Sequence, residues 1–124
     1  MTPLPPSEIK SKRVCVKTFF RGFHCWPDAP EEVFFLRSLH RHQFGVRVEV
    51  EVTGSNREVE FFILQKRVDL ACQKVHAELL RHPHFSCEMM AEKIALLLFE
   101  EGFKVAEVEV DEDRENRGKI IYAT

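Results

Sequence analysis

The sequence predicts an α+β domain, an antiparallel sheet with two helices on one of its faces. Three observations carry that prediction. Residues 13–20 and 44–52 alternate apolar and polar positions at period two, as half-buried strands do. Residues 64–80 and 87–101 change to a helical stripe of apolar positions. Two further short alternating stretches, 104–110 and 119–122, follow the helix pair. Strands separated by a helix pair indicate an antiparallel sheet whose helices share a side.

The first strand runs from Arg13 to Phe20, with Val14, Val16 and Thr18 opposite Cys15, Lys17 and Phe19. It continues into Phe20-Arg21-Gly22-Phe23-His24-Cys25-Trp26-Pro27, where Gly22 marks a bulge or a close backbone approach and Pro27 ends the strand. A connecting segment follows to Ser38, with a helical turn expected at Glu31–Leu36 after the Asp28-Ala29-Pro30 start signal. The organising strand opens at His40 and places Phe44, Val46, Val48, Val50 and Val52 on one face. The Thr53-Gly54-Ser55-Asn56 turn then leads into an expected short return strand over 58–63.

Leu64, Val68, Ala71, Cys72, Val75 and Leu79 form the stripe of the first helix, which the Arg81-His82-Pro83 break ends. The second helix has Ser86 as its N-cap and Gly102 as its terminator. The chain closes with a strand at Lys104–Val110, an acidic turn at Asp111–Glu115 and a strand at Lys119–Tyr122. With the return stretch counted as the second arm of a hairpin, the order is β-β-α-α-β-β.

At 124 residues the chain fits one domain, expected over 12–124 after a loose arm at 1–11. A hydrophobic content of 44% with 11 Phe excludes a disordered chain, and leaves enough apolar surface to expect packing against a second copy. The formal charge of −2, with both signs mixed throughout, carries no nucleic-acid footprint. Four cysteines show no C-x-x-C spacing, and the polar, proline-rich start has no apolar signal core. A reducing, cytoplasmic setting is therefore expected. No apolar run reaches membrane-spanning length.

Extending the period of the organising strand backwards puts His40 and His42 on its apolar face. Two imidazoles two residues apart on one strand face point the same way, so their nitrogens can meet on a metal ion. His24 ends the first strand, and an antiparallel pairing brings that end beside the start of the second. Three imidazoles with a fourth position open is the arrangement of catalytic zinc. The competing reading is histidines at strand ends with satisfied hydrogen bonds.

Phe20-x-x-x-His24, His40-x-His42 opening a long alternating strand, and a helix pair after it resemble the 6-pyruvoyl-tetrahydropterin synthase and 6-carboxy-tetrahydropterin synthase family. The resemblance spans about residues 14–122 and implies the tunnelling fold (T-fold), a four-stranded antiparallel sheet with two helices on one face. It implies Zn2+ held by His24, His40 and His42. It implies that Glu112, ending Val108-Glu109-Val110-Asp111-Glu112, anchors a pterin- or guanine-like ring, as a carboxylate accepting parallel N–H bonds can. Ser86-Cys87-Glu88-Met89 is similar to the family's Thr-x-Glu-Asn and retains its carboxylate at Glu88.

Leu36 stands where the family's catalytic cysteine is expected, four residues before His40, and a leucine transfers no proton. Cys25 is the candidate replacement. Leu80-Arg81-His82 is similar to the family's Leu-Asp-His, keeping the proton-transfer histidine at His82 and losing its acidic partner. Two functions follow from the resemblance. One is a zinc-dependent lyase or rearranging enzyme acting on a pterin or purine-derived substrate. The other is a non-catalytic oligomer binding a pterin, guanine or nucleotide at subunit interfaces. The family also implies homo-oligomers, trimers stacked into hexamers.

Overall fold

Strands Lys12–His24 (β1) and His40–Val52 (β2) pair antiparallel without interruption, from Lys12↔Val52 to His24↔His40. Helices Phe61–Arg81 (α1) and Cys87–Glu100 (α2) come next, then strands Val105–Glu112 (β3) and Asn116–Ile121 (β4). The four strands form one antiparallel sheet in the order β1-β2-β3-β4. This is a computed structural model describing residues 8–123. Residues 1–7 of the expected N-terminal arm lie outside the described residues.

Because side chains alternate across a strand, one sheet face carries Val16, Phe44, Val46, Val48, Val50, Val108 and Val110, all buried. The apolar stripe expected for α1 is the buried set Leu64, Val68, Ala71, Cys72, Val75 and Leu79. Met90, Ile94 and Leu98 of α2 complete the same core. Each large side chain so buried contributes about 1.5–3 kcal/mol, and together they fix which sheet face is covered. Ser86 caps α2 as expected, its Oγ accepting from Met89 N–H at 3.1 Å.

The return strand expected over 58–63 is absent, and α1 begins at Phe61 instead. Its apparent alternation falls on Phe61, Phe62 and Ile63, all exposed in the first helical turn with no strand to pair with. Glu58 turns back into the preceding loop, accepting from Gly54 N at 2.9 Å and Thr53 Oγ1 at 2.8 Å. Glu60 then caps the helix through Phe62 N–H. At Gly22 the β1–β2 register is unbroken, so of the two readings the close approach holds. A Cβ there would lie 3.2 Å from Leu79 Cδ2 and 3.3 Å from Phe44 Cε2. The bulge is elsewhere, between Glu49 and Val50 opposite β3.

β3 runs further than expected, through Asp111 and Glu112, and the turn into β4 shrinks to two central residues, Asp113 and Arg114. The uncovered sheet face carries charges paired across the strands, beside exposed Phe19 and Phe23. Arg13 lies 3.4 Å from Glu49 and 3.7 Å from Glu107, and Lys119 lies 2.8 Å from Glu107. Among the described residues no helix is long and apolar enough to cross a membrane.

Candidate metal centre

The even-numbered positions that build the core continue past the end of the helix cover. On β1 the series Phe20, Gly22 reaches His24. On β2 the series Phe44, His42 reaches His40. On β3 Val108 and Val110 lead to Glu112. Register does the rest, setting His24 directly opposite His40 and Glu112 opposite Phe44. Gly22 opposes His42 and sets no side chain against it. Each of His24, His40, His42 and Glu112 thus offers one ligand atom, all within 4.8 Å of one another. The ring centroids of His24 stand 4.6 Å from His40 and 5.3 Å from His42.

Every Nδ1 in the cluster has an acceptor of its own. His24 Nδ1 meets Phe85 O at 2.9 Å, His40 Nδ1 meets Ser38 O at 2.9 Å, and His42 Nδ1 meets Asp113 Oδ2 at 2.6 Å. Carbonyl and ionised carboxylate oxygens only accept, so each ring in its neutral form carries its hydrogen on Nδ1 and presents Nε2 as a lone pair. Burial holds the His24 pKa below the ordinary imidazole value, outweighing the Phe85 carbonyl and the Glu112 carboxylate, which favour the charged ring.

His24 Nε2 lies 2.8 Å from Glu112 Oε2, yet it is buried and has no hydrogen-bond partner among the described residues. With the ring neutral, two acceptors face each other at that distance, which is unfavourable unless a metal ion or a proton lies between them. Three imidazole nitrogens, each with its outer Nδ1–H anchored, suit Zn2+, with the fourth position left to the Glu112 carboxylate or to an exchangeable oxygen ligand. Other late first-row ions share this donor preference, while magnesium and calcium favour all-oxygen sites.

A cavity of about 450 Å3 adjoins the cluster. Cys25, Trp26, Leu36, His84 and Glu88 line it, together with Glu112. Leu36 thus stands in the wall with no proton to transfer, and Cys25 shares that wall although its neighbour His24 belongs to the cluster. Cys87 lines the cavity too, but burial first, and Glu112 second, push its thiol to about 12, so it is no nucleophile at neutral pH. His82 is exposed and lies outside the cavity lining, and its loop neighbour His84 lines the wall instead, the two rings 5.9 Å apart. Glu88, near the start of α2, reaches over Gly118 of β4, where a Cβ would collide with its carboxylate.

Reading the sequence alone missed three parts of this site. Glu112 joins the histidines as a fourth ligand group, a place that period two from Val108 and Val110 already implied. The Phe85 carbonyl closes the cluster from the α1–α2 loop, and nothing in a sequence identifies such a partner. Asp113 was taken as one member of an acidic run, although its carboxylate lies 2.6 Å from His42.

No family model matches the chain, and no curated protein matches it. Solved structures do. An uncharacterized protein from Wolinella succinogenes superposes with a TM-score of 0.62 at 15% identity, over 90% of this chain and 98% of that one. The 6-pyruvoyl tetrahydropterin synthase of Caenorhabditis elegans superposes with a TM-score of 0.60 at 16% identity, over 93% and 99%. At such identities the likeness is one of fold, and it extends over nearly the whole of each chain. The chain therefore has the α+β tunnelling fold found in 6-pyruvoyl tetrahydropterin synthase.

Proposed function

We propose that the chain is a zinc-dependent protein of the 6-pyruvoyl-tetrahydropterin/6-carboxy-tetrahydropterin synthase type. Its substrate is a pterin or a purine-derived compound, and its reaction is triphosphate elimination or side-chain rearrangement. One observation carries this reading: three Nε2 lone pairs and the Glu112 carboxylate converge within 4.8 Å beside a cavity of about 450 Å3. That volume lies in the range of small-molecule sites. Zn2+, when bound, supplies a Lewis acid that polarises an oxygen of the substrate's side chain.

The chain's own groups do the remaining work. His24, His40 and His42 bind the ion through Nε2 and are kept in that tautomer by their Nδ1 partners. Glu112 turns Oε2 to the histidines and leaves Oε1 for ring N–H groups, with Glu88 as a second acceptor across the cavity. Trp26 offers a flat face for stacking, and Leu36 and Phe85 exclude water. Proton transfer falls to Cys25 and His84, with His82 behind His84 on the solvent side.

A homo-oligomer, a trimer or hexamer, goes with this reading. Its support is the position of β1 and β4 as the outer strands of the sheet, and the exposure of Phe34, Phe35 and Leu39. We place it in the cytoplasm, without a nucleic-acid or membrane partner.

A second reading, a non-catalytic oligomer that holds a pterin, guanine or nucleotide ligand, is favoured by Leu36 in the cavity wall. Incubation of zinc-loaded protein with dihydroneopterin triphosphate separates the two. Triphosphate release supports the enzyme, whereas ligand recovered unchanged with the protein supports the binding module. Metal analysis of untagged protein tests the shared premise, since a metal-free product with no zinc affinity removes both.

A further inference from the structure

We infer that Asp113 is a positioning residue of the metal centre: its carboxylate holds His42 in the Nδ1–H tautomer and so aims the Nε2 lone pair at the other ligands. The inference rests on the metal-binding reading above.

The local fold places Asp113 for this task. Asp113 and Arg114 are the two central residues of the β3–β4 turn, closed by Glu115 N donating to Glu112 O at 2.9 Å. Both have positive φ, 54° and 65°, as the central residues of a type I′ turn do. Asp tolerates that conformation better than most residues. Asp113 N donates to Gln43 O at 2.9 Å, and Asp113 Oδ1 accepts from Gln43 N at 2.8 Å. The strand pairing of β2 with β3 ends at Phe44↔Glu112, and Asp113 carries it one residue further with its side chain. That double anchor leaves Oδ2 directed at the neighbouring His42 Nδ1, 2.6 Å away.

His42 differs here from its two companions. His24 and His40 are oriented by backbone carbonyls, which no substitution at the partner removes. His42 alone depends on a side chain, and a charged one. A carboxylate acceptor draws the Nδ1 proton more strongly than a carbonyl does, which makes the opposite nitrogen a better donor to a cation.

The test compares Zn2+ affinity, by competition with a chelator, in the wild type, His42→Ala, Asp113→Asn and Asp113→Gly. Asn keeps the turn conformation and the acceptor for Gln43 N–H, but sets an NH2 against His42 Nδ1–H. Gly keeps the positive φ and removes the side chain altogether. Both Asp113 variants are expected to bind Zn2+ about 10- to 100-fold more weakly, and His42→Ala to lose more. Nitrogen-15 spectra of the metal-free protein supply a second readout. Wild-type His42 should be the Nδ1–H tautomer, and the tautomer should be mixed in Asp113→Asn. Wild-type-like affinity in both Asp113 variants, with His42→Ala defective, overturns the role of Asp113 and leaves the metal site standing. A wild type without measurable Zn2+ affinity overturns the metal site itself, and the role of Asp113 with it.

Discussion

The β1–β2 ribbon has polar clusters at both ends, and they are built on opposite principles. At the Lys12↔Val52 end the acceptors of the loop meet donors. Glu58 takes N–H groups from Thr53 and Gly54 and the Thr53 hydroxyl, and Lys12 Nζ reaches Ser55 Oγ at 2.8 Å. At the His24↔His40 end the donors all point outward, to Phe85 O, Ser38 O and Asp113, and what remains inside is three lone pairs and a carboxylate. The first cluster is complete as folded and closes a loop. The second turns its remaining ligand atoms toward one another, where they are available to a cation. Hydrogen-bond polarity, more than the mere nearness of histidines, separates a structural cluster from a binding one.

The largest expected effect tests that contrast directly. Zn2+ at about a hundredfold excess over its Kd should stabilise the metal-free protein by about 2.7 kcal/mol, roughly 10 °C in Tm for a chain of this size. The His40→Ala, His42→Ala double variant should lose the whole shift and its bound zinc. An unchanged shift in that variant would place the ion elsewhere.

A smaller effect is expected at Gly45, whose Cβ position is filled by the Asp111 carboxylate. Asp111 Oδ1 accepts from Arg114 N at 2.8 Å and so steadies the turn that carries Asp113. Gly45→Ala must displace it. We expect a loss of about 1–3 kcal/mol in denaturant unfolding, typical of overpacking, together with weaker Zn2+ binding. Loss of stability with unaltered zinc affinity would show that turn and metal centre are independent.

The smallest effect belongs to the loop end. The Gly54 N–H, then the Thr53 hydroxyl and N–H, hold the Glu58 carboxyl below its ordinary pKa. A group depressed in the folded state adds stability that is complete above its unfolded pKa and lost as pH falls through the folded one. Wild type should therefore exceed Glu58→Gln slightly at pH 7, and the denaturant midpoints should converge as pH drops below about 4.5. A difference that persists under acid conditions would mean that the carboxylate charge is not what closes the loop. Zinc affinity should be the same in both proteins at pH 7, because the cluster lies at the far end of the ribbon.

Much of this was legible in the residue pattern. The alternation from Phe44 to Val52, carried back through His42 and His40, is a local property of an extended chain, and the α1 stripe is a local property of a helix. The return strand was misread because Val59, Phe61 and Ile63 alternate without any partner to pair with. Period two describes a strand only where a ladder exists to use it. The second sheet face was less legible. Phe19 and Phe23 share that face with Arg13, Glu49, Glu107 and Lys119, and the charges pair across strands that only the register brings together.

Sequence by itself determined which residues face the helices and that His24, His40 and His42 share one side, because side-chain direction alternates with every residue along a strand. Tertiary structure alone decided how closely Glu112 approaches them, that His84 rather than His82 lines the cavity, and that Asp113 and two carbonyls turn the three rings inward. Those partners come from distant segments, 71 residues apart where His42 meets Asp113 and further still where His24 meets Glu112. Distances across such separations are set by strand register and loop docking, which local periodicity does not encode.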